Sequence, residues 1–91
     1  MSKPGNPHLR KTLLEIVENQ LRDSDPPETR ETLDRLLNEG FTSEQAMELI
    51  ACAVSSEIFE VLKYKRLYNH GRYAKALNGL PRMPWEDEEL N

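Results

Sequence analysis

An all-α fold of four helices, with a long third helix at its centre, is what this sequence predicts. Three observations predict it. Apolar residues recur at spacings of three and four along most of the chain, which is the period of a half-buried helix. Residues that cap helix starts precede each such stretch, with Gly40 and Gly79 placed to end two of them. No convincing stretch alternates with the period of two that marks a strand.

The first helix is expected from Pro7 to about Arg22. Asn6 is a good N-cap, and Pro7 suits the first helical position because its missing N–H would be unpaired there anyway. Leu9, Leu13, Ile16, Val17 and Leu21 share one face. Gln20 falls on that same face, so its amide needs a partner or an edge position. The second helix is expected from Pro26 to Asn38. Asp25 stands as cap and Glu28 follows three residues later, as in a capping box. Its apolar face is short: Leu33, Leu36 and Leu37. Gly40 supplies the left-handed residue that stops it.

The third helix starts at the cap Thr42, with Gln45 completing a second capping-box pattern, and meets no Gly or Pro before about Arg66. From Ala46 to Val54 almost every residue is apolar or small. A helix apolar nearly all round is surrounded by other elements, so this one is the spine of the domain. The fourth helix is short, from His70 to Asn78, with Asn69 as cap, Gly79 as stop, and Tyr73, Ala76 and Leu77 facing inward. Prolines keep Leu80 to Trp85 extended. The expected organisation is a flexible N-terminus at 1–6, a helical domain at 7–79, and an extended, acidic, Pro-containing tail at 80–91.

The 91 residues make one domain, and a chain of this length buries only about 60–65 % of its unfolded surface. The longest apolar run, Leu49 to Val54, is far short of the roughly 20 residues that span a bilayer. Residues Met1 to Pro7 hold no apolar signal core. The single cysteine, Cys52, has no partner for an internal disulfide, as suits a reducing compartment. A cytoplasmic protein with no membrane association is expected. Cys52 lies within an apolar helical run, which favours an inert packed thiol over a reactive one.

The formal charge of −4 hides an asymmetry. Residues 1–60 carry 12 acids and 6 bases, residues 61–85 carry 6 bases and no acid, and residues 86–91 carry 4 acids. A basic segment therefore lies between two acidic ones.

Three stretches carry a resemblance. They are Asn6-Pro7-His8 with Glu18-Asn19-Gln20, then Asp25 to Leu33 with Arg35-Leu36-Leu37, and then Gly40-Phe41 with Ala46 and Ile50. Together, over residues 6 to about 80, they resemble a family of small bacterial all-helical proteins of uncharacterised function. The resemblance implies a fold and supplies no activity. Members carry further histidines on the first and third helices, at positions corresponding here to Leu14, Glu44, Glu48 and Glu57. Only His8 remains, so a metal role is not carried over. The stretch Gly40 to Ala46 is also similar to the first inter-helix loop of ubiquitin-associated domains. Glu39 departs from the apolar residue usual there, and the helix that follows is too long for that compact fold.

Glu57 carries the most chemical information. Its helical position lies among Ile50, Val54, Ile58 and Val61, and a carboxylate on an apolar face must be paired, protonated or bound to a cation. Gln20, Tyr73, Arg72 and His8 are its candidate partners. The favoured role is a hydrogen-bonded acid that fixes helix packing; the alternative is a metal-dependent activity using Glu57 and His8. His8 and His70 are the only histidines and no close-spaced ligand pair exists, so no metal and no cofactor is expected.

A second candidate set is basic: Lys63, Lys65, Arg66, Arg72, Lys75 and Arg82, interleaved with Tyr64, Tyr68 and Tyr73. Such a surface can hold phosphates and stack bases. The acidic protein as a whole disfavours nucleic acid, and the acids Glu86 to Glu89 are natural competitors for any anion held there. A third set is apolar. Phe59 and Cys52 lie on the side of the third helix opposite Ile50 and Val61, and need a cover. Met83 and Trp85 of the tail, a second copy, or another protein would provide it. The leading expectation is a non-enzymatic protein-interaction or self-association module, a homodimer or a partner of another protein. Anion or nucleic-acid binding through residues 63–82 is the alternative from a different class.

Overall fold

A computed structural model describes residues 7–85. The N-terminal residues 1–6 and the acidic end of the tail, residues 86–91, lie outside the described residues. Four helices make up the structure: α1 (Pro7–Asp23), α2 (Pro27–Asn38), α3 (Ser43–Tyr64) and α4 (His70–Gly79). No strand is present among the described residues, and no helix there is long and apolar enough to cross a membrane.

The spine expectation holds. α3 packs against each of the other three helices, and Ala46, Ile50 and Ala53 on it are fully buried. Val17 of α1, Leu36 of α2 and Leu77 of α4 meet it in the same core. Fully burying an aliphatic side chain of this kind contributes about 1.5–3 kcal/mol. α3 starts as its residue types dictate. Thr42 Oγ1 accepts from the Gln45 N–H (3.0 Å), and Gln45 Oε1 accepts from the Thr42 N–H (2.9 Å).

Three boundaries and one buried face differ from the expectation. α2 begins at Pro27, with Pro26 as an uncapped N-cap residue in an extended conformation. A residue before proline is pushed out of the helical region, so Pro26 cannot open the helix and Asp25 stands one place too early to cap it. The buried face of α2 is Thr29, Thr32, Leu33 and Leu36, whereas Leu37 is exposed. α3 ends at Tyr64 because Lys65 takes a left-handed conformation (φ 54°). Last, the core runs past residue 79: Leu80 is 2 % exposed, and Met83 packs against the core as well. The start of the Pro-containing segment is therefore part of the domain.

Candidate functional site

Two polar junctions organise the interior. In the first, Glu57 is buried in α3 at 6 % exposure. Of the four partners the sequence offered it, the fold selects Arg72. The Arg72 guanidinium donates from Nε to Oε1 and from Nη2 to Oε2, both at 2.8 Å. The backbone N–H of Asn69 donates to Oε2 (3.0 Å), and Arg72 Nη2 also reaches the Leu67 carbonyl (3.2 Å). The bidentate pair thus holds the 65–69 linker against α3 and sets the start of α4, where Asn69 Oδ1 accepts from the Arg72 N–H. The bound carboxylate pushes the Arg72 guanidinium still further up.

In the second junction, Gln20 Oε1 accepts two hydroxyls, from Thr29 Oγ1 (2.7 Å) and Tyr73 Oη (2.9 Å). Gln20 therefore has its partners, but Glu57 is not among them. α1 and α4 are not backbone neighbours among the described residues, and the Tyr73 hydroxyl spans between them. Burial pushes the Tyr73 phenol up, opposed by its side-chain hydrogen bonding with Thr29 and Gln20. Thr29 was not singled out by its type, although Thr29, Thr32, Leu33 and Leu36 have the spacing of a buried face.

His8 is exposed on the first turn of α1. Among the described residues no group of three or more His, Cys, Asp or Glu side chains is placed to hold a metal ion. His70 instead pairs with Glu28 (Nε2 to Oε2, 3.0 Å), and Tyr68 Oη lies 3.4 Å from its Nδ1. Hydrogen bonding to its own backbone, and then to His70, holds the Glu28 carboxyl below the usual value of 4.5. A depressed folded value gives stability that is present above about pH 4.5 and lost as pH falls through it. The native chain should therefore melt above the Glu28→Gln variant at neutral pH, with the gap narrowing as pH falls below about 4.5. A gap independent of pH in thermal melts would show that Glu28 does not gain from being charged.

Of the six predicted bases, Lys63, Arg72, Lys75 and Arg82 line one groove of 580 Å³ between α3, α4 and the segment after it. Lys65 and Arg66 do not. Lys65 is the left-handed C-cap of α3, and Arg66 pairs with Glu60 (3.3 Å) and stacks on Tyr64. The groove wall is also aromatic. Lys63 Nζ sits 5.0 Å from the Phe59 ring centroid and 5.3 Å from that of Tyr64, and Met83 and Trp85 form part of the same wall. A smaller apolar hollow of 240 Å³ lies beside Leu9, Leu13, Leu14 and Cys52, and Trp85 borders this one too. The predicted stripe of Cys52 and Phe59 thus lies along two hollows that the chain's own Met83 and Trp85 help to close. Burial pushes the half-buried Cys52 thiol up, against its use as a nucleophile.

The large exposed apolar surface lies elsewhere. Ile58, Leu62, Leu67 and Tyr68 are exposed on the last turns of α3 and the linker, Leu62 at 73 % and Leu67 at 90 %. Sequence periodicity gave Ile58 to the core face. That face ends where the neighbouring helices stop covering it. No protein-family model, curated protein or solved structure matches the chain.

Proposed function

We propose that the protein is an interaction module that pairs with a second copy of itself through the end of α3 and the linker that follows. The observation that supports this is the concentration of large exposed apolar side chains between residues 58 and 68, headed by Leu62 and Leu67. Single exposed leucines are ordinary on any protein surface; a cluster at one end of a long helix favours an interface. A two-fold pairing would set the patch against itself, so that each leucine meets an apolar neighbour. Lys63, Lys65 and Arg66 lie in the same stretch. Their mutual repulsion across such an interface is screened by salt, so association should strengthen as salt is raised.

An enzyme is not favoured: both oxygens of Glu57 are engaged by Arg72 and Asn69. Nor is a surface that tracks phosphates, since Arg72 is held by Glu57 and Arg66 by Glu60.

Sedimentation velocity over a concentration series tests the reading. The native chain should sediment as a dimer at high concentration. Leu62→Glu should weaken pairing at least about tenfold, the effect of losing about 1.4 kcal/mol at a buried contact. Leu62 is mostly solvent-exposed in the single chain, so the variant should keep its helical circular dichroism. A native chain that stays monomeric at about 1 mM, short of about 4 kcal/mol of association, would overturn the proposal.

A further inference from the structure

The groove between α3 and α4 shares Lys63 with the pairing stretch and adds bases from α4 and the segment after it. Its lining carries four bases, Lys63, Arg72, Lys75 and Arg82, against two acids, Glu57 and Glu60. Arg72 is taken up by Glu57, and Glu60 is paired by Arg66 from outside the groove. The field of the groove is therefore positive, although the protein as a whole carries −4. Beside the bases stand Phe59, Tyr64 and Trp85. A site that combines ammonium and guanidinium groups with aromatic faces suits a carboxylate-rich peptide.

We propose that the groove is a binding site for an acidic peptide segment, and that its occupant is the chain's own residues 86–91. The sequence continues from Trp85, itself part of the groove wall, directly into Glu86-Asp87-Glu88-Glu89-Leu90-Asn91. Four consecutive acids thus begin one peptide bond away from a positively charged groove. Six residues reach at most about 20 Å when extended, enough to run along a groove from its own wall. Attachment gives the segment an effective concentration on the order of millimolar, so even weak charge pairing fills the site.

The test uses the full chain and a variant in which Glu86, Asp87, Glu88 and Glu89 are replaced by Gln, Asn, Gln and Gln. Trp85 is the only tryptophan, so its emission reports on the groove wall directly. In the native chain, emission and the amide resonances of Lys63 and Lys75 should change as salt rises from about 0.01 M to about 1 M, across which the screening length falls from about 30 Å to about 3 Å. The neutralised variant should start at the high-salt position and stay there. At low salt, the free hexapeptide Glu-Asp-Glu-Glu-Leu-Asn should bind the neutralised variant at least about fivefold more tightly than the native chain. Adding Lys75→Glu, at an exposed position, should remove that binding. Equal binding to both chains, binding to neither, or native resonances that ignore salt would each overturn the proposal. Charge pairing in the groove weakens with salt whereas apolar pairing at Leu62 strengthens, so the two proposals fail separately.

Discussion

Arg72→Ala should lower the unfolding free energy by about 3 kcal/mol, the low end of what is lost when one partner of a buried ion pair is removed. The low end applies because the Arg72 side chain is 28 % exposed while Glu57 is at 7 %. The cost arises mainly at Glu57. Its carboxylate would stay in the interior with only the Asn69 N–H to satisfy it. Glu57→Gln should cost less, about 1–2 kcal/mol, because an amide keeps an acceptor for Asn69 and removes the buried charge, while the partly exposed Arg72 guanidinium can turn to water. The double variant should come out well short of the sum of the two losses, since each single change already breaks the same contact. Urea denaturation with an unchanged slope would read these differences directly. A loss under about 0.5 kcal/mol for Arg72→Ala, the size of an exposed pair, would mean that water reaches the pair freely. The linker would then be held in place by something else.

Ile50→Ala should cost about 3–4 kcal/mol. Ile50 has no exposed surface and belongs to the core that α3 shares with α1, α2 and α4. Truncation removes three carbons from a fully buried site, and a close-packed interior collapses poorly around a hole. Total stability for a domain of this size is about 5–15 kcal/mol, so one side chain would take a large share of it. Leu62→Ala gives the contrast. It deletes the same number of carbons from the same helix, but at a position 73 % exposed, and should fall within about 0.5 kcal/mol of the native chain when monomeric. Comparable losses at both positions would mean that the end of α3 is covered in solution even at low concentration.

What the residues made legible follows from how local each signal is. Thr42 with Gln45, and Asn69 at α4, act through neighbours three residues away, and the fold uses them as the sequence suggests. Glu57 stood out because a charge on an apolar face demands a partner, and Arg72 was one of four candidates. The end of α3 was not legible. No glycine marks it; the linker turns at Lys65 and is held back by Glu57, Arg72 and Asn69, contacts that exist only once α4 has docked. Leu80 lay hidden behind its prolines: residues 80–85 form turns instead of the extended stretch those prolines suggest, and the first turn sets Leu80 in the core. Ile58 and Leu62 show the same limit from the other side. Periodicity tells which way a side chain points, not how far the neighbouring helices extend to cover it. The groove needed three dimensions, since its bases come from α3, α4 and the segment after α4.

The Gln20 junction has a consequence for how the molecule comes apart. One amide oxygen receives Thr29 from α2 and Tyr73 from α4 while belonging to α1. Removing α1 leaves the hydroxyls of Thr29 and Tyr73 without this acceptor, in a medium where such groups are costly. Partial structures that lack α1 are therefore penalised relative to the complete fold. A short helix such as α4, marginal by itself at ten residues, is drawn into the same all-or-none transition as the spine.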